Sequence, residues 1–205
     1  MLDHPIFTES LRRIKKWLGP TGLPQPEEDV LLRLIHSGGD LGLAPLLRFS
    51  EGACRAGMEA LARGDVILTD TAMAAAAVTS MADRTFSNPV HSVLTWAPPV
   101  APAGQTRAAL GMTAALQAHP GAVVLIGSAP TALELLLDRV AQGDPPPALV
   151  VGMPVGFVGV AESKRNLALS GLPQIRLKGS RGGAGLVAAT VNALLRRAWL
   201  DQSSK

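Results

Sequence analysis

Histidine has the side-chain pKa nearest neutrality, so the four histidines of this 205-residue chain are the first candidates for proton transfer. His4 and His119 each precede a proline, which predicts solvated helix boundaries, and His91 begins an apolar run, which predicts packing. No pair has the spacing of a helical zinc site, and no Gly-x-Ser-x-Gly nucleophile elbow is present. We therefore predict no metal, and His36 is left as the candidate catalytic residue.

His36 lies in the last turn of a predicted helix, one turn after Arg33 and before Ser37-Gly38-Gly39. The C-terminus of a helix favours the imidazolium form, whereas the neighbouring arginine opposes it. A bound polyanion would shift this balance towards protonation, so His36 could act as a general acid. On the residues alone, a solvated helix-end histidine without a catalytic role is the alternative.

Three glycine-rich segments, 127–131, 152–159 and 179–185, each follow a predicted strand. In open α/β sheets, ligands bind at the carboxyl ends of strands, and exposed backbone N–H groups there favour anions. One such segment by itself could serve only a tight turn. Three on one edge of a sheet favour a binding site.

Two short matches to nucleotide-binding motifs lie near the last of these segments. Gly183-x-Gly185-x-x-Ala188 fits part of the dinucleotide fingerprint, but no strand follows it to present an acidic residue to a ribose. Lys178-Gly179-Ser180 has the residues of a P-loop in the wrong order. We therefore predict that the chain binds no nucleotide.

The elements that must position these residues alternate between apolar, strand-like runs and helical patterns. Strands are predicted at 66–69, 92–96, 122–126, 148–151 and 174–178, and helices at 72–80, 107–118, 131–142, 162–169 and 186–199. The middle strands are almost wholly apolar, which indicates burial on both faces, as in a parallel sheet. This alternation predicts a three-layer α/β/α fold of the flavodoxin-like class, with a doubly wound parallel sheet of about five strands.

The first 64 residues have a different pattern, with helices predicted at 8–18, 26–37 and 50–64. Pro26 followed by three acidic residues is typical of a helix start, and Gly38-Gly39 of a helix end. We expect one domain over 1–205, in which a helical N-terminal segment (1–64) packs on an α/β core (65–205).

Composition excludes several classes of protein. The single cysteine, Cys54, excludes a disulfide scaffold and thiolate metal clusters; we interpret it as a buried hydrophobe in a protein of the reducing cytoplasm. The longest run without a charged residue, 108–133, is broken by Pro120 and Pro130, and the N-terminus lacks a signal-peptide pattern. We therefore predict a soluble protein with no membrane partner.

The net charge of +3 conceals an asymmetry along the chain. Residues 1–149 hold 11 basic and 14 acidic groups (−3), whereas 150–205 hold 8 and 2 (+6). This basic segment could bind a small polyanion, or could be a solvated face with no ligand. Nucleic acid is disfavoured because stacking aromatics are not interleaved with the basic residues, and we predict no nucleic-acid partner.

Four blocks, in order along nearly the whole chain, resemble one enzyme family. They are Arg33-Leu-Ile-His36, Gly127-Ser-Ala-Pro-Thr-Ala-Leu133, Gly152-Met-Pro-Val-Gly-Phe-Val-Gly159 running into Ala161-Glu-Ser-Lys164, and Arg181-Gly-Gly183 with Asn192-Ala-Leu. The family is precorrin-8X methylmutase, or precorrin isomerase, with its cobalt-precorrin-8 branch. The block from Gly152 to Lys164 is the most specific.

The resemblance implies a cofactor-independent isomerase of cobalamin biosynthesis that moves a methyl group from C11 to C12 of a polycarboxylate corrinoid. It implies His36 as proton donor and Ser10, Arg33, Thr106 and Arg107 as substrate-binding residues. It also implies a homodimer with its site near the subunit interface. Nothing in the sequence separates the metal-free substrate, precorrin-8X, from the cobalt-containing one.

Two other functions remain open on the sequence. One is a non-catalytic tetrapyrrole-binding protein on the same scaffold, which would bind product without needing His36. The other is a flavin- or nucleotide-binding oxidoreductase of the flavodoxin-like class, which would be yellow when purified or would bind a nucleotide.

Overall fold

The computed structural model describes residues 3–203, and its centre is a six-stranded sheet. The strands are β1 (Leu47–Phe49), β2 (Ile67–Thr69), β3 (Val90–Ser92), β4 (Val123–Ile126), β5 (Leu149–Gly152) and β6 (Gln174–Leu177). Their order across the sheet is β1-β6-β5-β4-β2-β3; β2 to β6 are parallel and β1 is antiparallel to β6. The predicted doubly wound parallel sheet is confirmed, with its topological switch point between β2 and β4.

Eight α-helices surround the sheet within the described residues: α1 (Pro5–Leu18), α2 (Gln25–Gly38), α3 (Ala53–Ala62), α4 (Ala72–Asp83), α5 (Arg107–Ala118), α6 (Pro130–Ala141), α7 (Val160–Leu169) and α8 (Ala184–Ser203). Helices α3, α4 and α8 pack on one face of the sheet, and α5, α6 and α7 on the other. Helix α2 lies on the outer side of α8, and α1 lies on α2. The first two helices are thus an addition to one face of the α/β sandwich.

The central strands are buried on both faces, as their composition predicts. Along β4, Val123 and Leu125 enter the core under α3, α4 and α8, whereas Val124 and Ile126 enter the core under α5, α6 and α7. A strand with helices on both sides must be apolar at every position, so the alternation of polar and apolar residues disappears.

Two predictions about the strands were wrong in detail. The predicted strand at 92–96 ends at Ser92, because residues 93–95 form a 3-10 turn in which the Ser92 hydroxyl accepts a hydrogen bond from the Leu94 N–H. Strand β1 was not predicted, since it lies in the segment expected to be helical and has only three residues. It exists because the edge of β6 offers unpaired backbone groups.

Helix ends follow local chemistry more closely than periodicity. Helix α1 begins at Pro5, three residues earlier than predicted, because His4 Nδ1 accepts a hydrogen bond from the Ile6 N–H. Helix α3 starts at Ala53 and buries Cys54, whose thiol pKa is raised to about 12 by burial, which keeps it protonated and unreactive. None of the helices between residues 3 and 203 is long and apolar enough to span a bilayer.

Candidate active site

His36 occupies the last turn of α2, at the carboxyl edge of the sheet. Gly39 ends the helix in the left-handed region (φ 62°), where its N–H donates to the Ile35 carbonyl. Helix α2 runs antiparallel to α8: Gly38 lies beside Leu186 in the first turn of α8, and the Asp29 carboxylate lies 3.6 Å from Arg197 near the other end. This packing brings the histidine next to the loops that follow β5 and β6.

Three of the predicted site residues are brought together here. The Ser10 hydroxyl on α1 lies 2.7 Å from His36 Nδ1, and the Phe7 ring packs edge-on against the imidazole at 5.1 Å between centroids. The Arg33 guanidinium lies over the Phe7 ring, 4.6 Å from the centroid of that ring. Helix α1 therefore completes the site by covering the end of α2.

The charges around His36 are not balanced. Partial burial, together with the positive charge of Arg33, lowers the pKa of His36 below its ordinary value. Burial also lowers the pKa of Arg33, and the Asp3 carboxylate opposes that shift without forming an ion pair with it, since Asp3 pairs with Arg196. Among the described residues Arg33 forms no hydrogen bond or ion pair, so its charge is available to an anionic ligand.

A cavity of about 420 Å³ lies next to His36, between the end of α2 and two glycine-rich loops. Its lining includes residues from the turn after His36, from the loop after β5 and from the loop before α8: Ser37, Gly38, Asp40, Leu43, Val155, Arg181, Gly182, Gly185 and Leu186. Arg181 donates to the Asp40 carboxylate at 2.8 Å across this cavity. The basic group nearest the cavity is thus partly neutralised already, unlike Arg33.

The loops after β5 and β6 hold each other in place through their backbones. The Gly183 N–H donates to the Met153 carbonyl at 2.9 Å, and the Gly156 N–H donates to the Ser180 carbonyl at 3.0 Å. A Cβ atom at Gly182 would lie 1.9 Å from the Met153 carbonyl oxygen, so the close approach requires glycine there. Two of the three predicted glycine-rich segments therefore form one wall of the cavity.

Lys164 holds the loop after β6 in place. Its side chain is 2% exposed, and Nζ donates to the carbonyls of Gly179 (2.8 Å) and Arg181 (2.6 Å). Burial lowers the pKa of this ammonium group to about 8. No role for Lys164 was predicted, although it closes the most specific block of the family resemblance.

The remaining glycine-rich segment, 127–131, is hydrogen-bonded to an acidic residue that was not predicted to be functional. Asp70 follows β2 at the switch point, is 1% exposed, and accepts hydrogen bonds from the Ser128 N–H (2.6 Å) and the Ala129 N–H (2.8 Å). Burial raises the pKa of this carboxyl group, and the backbone donors act in the opposite direction. The N-terminus of α6, a site where this fold class commonly binds a ligand anion, is occupied by the chain's own carboxylate.

Thr106 and Arg107 lie in the helix layer on the opposite face of the sheet from His36. The Thr106 hydroxyl caps α5 by accepting from the Ala109 N–H and lies 2.7 Å from the Thr131 hydroxyl. Arg107 Nε donates to the Pro98 carbonyl at 2.9 Å. Thr106 and Thr131 line a separate cavity of about 570 Å³, between α5, α6 and the start of α7. Within one chain the structure does not join this pair to His36.

Fold and site together define a flavodoxin-like α/β protein with two added helices, in which His36 lies in the helix turn that leads into a glycine-walled cavity. The family model described as precorrin-8X methylmutase matches residues 5–197. The chain therefore belongs to the precorrin-8X methylmutase family.

Individual relatives agree with this assignment over nearly the full chain. The cobalt-precorrin-8 methylmutase of Synechocystis sp. is 39% identical, with 98% of each chain covered. The precorrin-8X methylmutase of Pseudomonas aeruginosa is 42% identical, with 92% of this chain and 93% of the relative covered. The crystal structure of a precorrin-8x methyl mutase from Thermus thermophilus superposes with a TM-score of 0.87 at 38% identity, covering 96% of each chain.

Proposed function

We propose that the chain is the isomerase that moves a methyl group from C11 to C12 of precorrin-8X, or of its cobalt form, in cobalamin biosynthesis, with His36 as proton donor. The observation that carries the assignment of His36 is its contact with Ser10, close to Arg33, which forms no ion pair among residues 3–203. The non-catalytic alternative has no support among the relatives, which are named as methylmutases acting on either substrate.

Ser10 and His36 together can present one proton in a defined direction. When the imidazolium form donates its Nδ1–H to the Ser10 hydroxyl, the second proton, on Nε2, is left to face the ligand. No hydrogen bond occupies Nε2 within the described part of the chain. Delivery of that proton to the macrocycle leaves a neutral imidazole with its Nδ1–H still bound by Ser10.

The methyl shift itself requires no group from outside the substrate. The carbon–carbon bond to C11 breaks as the bond to C12 forms, and the proton lent by His36 is returned, so the product is an isomer of the substrate. The enzyme needs to hold the macrocycle, protonate it and exclude competing reactions. This is why we propose no cofactor and no resident metal; cobalt, when present, belongs to the substrate.

Carboxylates of the substrate would correct the charge imbalance around His36. Burial and the charge of Arg33 both lower the pKa of His36, and a carboxylate bound by Arg33 would neutralise that charge and so favour the imidazolium form. Binding of the polycarboxylate corrinoid would therefore activate the acid that acts on it.

We propose that Thr106 and Arg107 contribute to the site of a partner subunit in a homodimer. Large apolar side chains exposed near the carboxyl edge of the sheet support an interface there: Phe157 is 95%, Val158 87% and Met73 73% exposed in the single chain.

Residues 1–64 and 65–205 are proposed as one domain because β1 pairs with β6. A cytoplasmic location is proposed from the buried free thiol of Cys54.

The test of the reaction is incubation of the purified protein with precorrin-8X and, separately, with cobalt-precorrin-8, while the absorption spectrum is recorded. We expect conversion of at least one, and the relative rates assign the substrate. Conversion of neither would contradict the proposed function.

The shared site has its own test. His36→Asn and Arg107→Gln variants, each of low activity, are mixed under conditions that exchange subunits. Random exchange is expected to restore about one quarter of normal activity, since half the dimers then contain one intact site. No restoration would contradict a contribution of Arg107 across the interface, without affecting the assignment of the reaction.

A further inference from the structure

The basic excess of residues 150–205 is only partly explained by the proposed active site. Arg196 and Arg197 form ion pairs with Asp3, Asp29 and Asp201, and Arg181 pairs with Asp40. The other cations that the structure describes in this segment are Lys164, Arg165, Arg176 and Lys178. All four line one cavity of about 500 Å³ between α7 and β6.

This cavity lies in the helix layer on the far side of the sheet from α2 and α8, and its remaining lining is small or apolar: Ala161, Ala168, Leu169 and Gly179. None of the described residues that line it is acidic. Glu162, which lies outside the lining, pairs with Arg165 at 3.2 Å on the exposed surface of α7. Lys164, Arg176 and Lys178 form no ion pair within the described part of the chain, so at least three positive charges meet in the cavity without an acidic partner.

Arg176 carries the clearest sign of a missing partner. It lies directly opposite Arg48 in the antiparallel β1–β6 pair, and two like charges at such positions destabilise a sheet. Its Nε is buried and has no hydrogen-bond partner in the described part of the chain. Burial and the charge of Arg48 both lower the pKa of Arg176. Arg48 itself is turned to the carbonyls of Pro45 and Leu47.

We propose that the cavity between α7 and β6 binds a small polyanion bearing carboxylate or phosphate groups, held by Arg176, Lys178, Arg165 and Lys164. An oxyanion there would satisfy the buried Arg176 Nε, separate Arg176 from the charge of Arg48, and meet the fork geometry that arginine offers to carboxylate and phosphate. This site is distinct from the one proposed for methyl migration and does not depend on it.

Lys164 would connect the bound anion to the active-site loop. Its ammonium group has three N–H donors, and two of them hold the carbonyls of Gly179 and Arg181. The third can meet an anion in the cavity. Occupancy would then hold the loop carrying Arg181 more firmly in the position it has beside His36.

The experiment is isothermal titration of the full chain, at low ionic strength, with pyrophosphate and with citrate as separate probes. We expect saturable binding of at least one probe, weakening as salt is added. Binding of pyrophosphate alone or of citrate alone assigns the ligand class. Binding of neither would overturn the proposal.

Variants separate this cavity from general attraction to a basic protein. Lys178→Gln, at an exposed position, should weaken binding about tenfold through loss of a charge-assisted contact, and Arg176→Gln should do at least as much. Arg55→Gln, which removes an equal charge from α3, should leave affinity unchanged. Equal effects of all three would show non-specific attraction and overturn the site.

Thermal melting gives a second readout that does not depend on affinity. Without anion, Arg176→Gln should melt no lower than the unmodified protein, because it removes a like-charge pair. With saturating probe, the unmodified protein should gain stability and the variant should gain less. A variant that melts lower without anion would show that Arg176 is already satisfied and would contradict the proposal.

Discussion

At the carboxyl edge of the sheet, the start of α6 and the end of α2 differ in whether the chain itself supplies a carboxylate to the groups there. The start of α6 is closed: Asp70 is buried there and accepts the N–H groups of Ser128 and Ala129. The end of α2 is open: the pKa of His36 is lowered, and Arg33 has no ion-pair partner among residues 3–203. The start of α6 already contains a carboxylate of the chain, whereas the end of α2 has an arginine without one.

The difference shows that the usual anion-binding position of this fold class is already filled by the chain itself. In doubly wound sheets a ligand anion commonly binds at the switch point, on a helix N-terminus. Here that place contains a carboxylate of the chain, and the candidate cavity lies instead between the end of the added helix α2 and the loops after β5 and β6.

The largest expected effect comes from removing the acid at the open region. His36→Asn should lower kcat by about a thousandfold, in the range attributed to general acid catalysis, while product binding persists. Single-turnover absorption and product titration measure the two quantities. His119→Gln, which changes a histidine at the far end of α5, is the control, and near-normal kcat in His36→Asn would refute the assigned role.

Next in size is the closed region. Asp70→Ala leaves two N–H groups at the start of α6 without their acceptor, and should cost about 3 kcal/mol of unfolding free energy by urea denaturation. Added formate should restore part of that loss by occupying the vacated position. Asp83→Ala, on the exposed end of α4, should change stability little. If formate protects both variants equally, the helix start does not act as an anion site.

The contact between the glycine loops should respond to a single methyl group. Gly182→Ala would place its Cβ atom 1.9 Å from the Met153 carbonyl, so the loops must separate, at a cost of about 2 kcal/mol and with a higher KM. Gly185→Ala is the matched control for stability, because no atom beyond its chain neighbours and its own helix backbone lies within 4 Å of its Cβ position; Gly185 also lines the cavity, so its KM is not compared. Thermal melts compare the two variants, steady-state assays compare Gly182→Ala with the unmodified protein, and equal melting of the two variants would contradict the packing argument.

The smallest effect is a shift along the pH axis. Burial and, after it, the charge of Arg33 lower the pKa of His36, so Arg33→Gln should raise this pKa by removing the second cause and move the alkaline limb of kcat/KM to higher pH. The acid must be protonated, and activity is lost as pH rises through its pKa. KM should also increase about tenfold through the lost carboxylate contact. Lys16→Gln on α1 should leave the limb in place; an unmoved limb in Arg33→Gln would separate the arginine from the acid.

Much of the site could be predicted because its signals are local. His36 after Arg33, followed by two glycines, predicts a helix end with a titratable group, and Gly39 ends α2 there. The approach of Ser10 could be predicted only from the family resemblance, since 26 residues separate it from His36 and no periodic pattern reports the packing of α1 on α2. The pair Thr106 and Arg107 remains a prediction that depends on a second subunit.

The sequence by itself determined the fold class, the apolar strands, the glycine-rich loops and the basic excess of the last 56 residues, because each is a property of neighbouring residues. Tertiary structure decided where the excess charge goes. Arg196 forms an ion pair with Asp3, which is 193 residues away in sequence, whereas Arg176 lies opposite Arg48 of the short strand β1. Whether a charge is balanced depends on which groups, distant in sequence, come close to it in a region from which water is excluded. The spacing of residues along the chain does not contain that information.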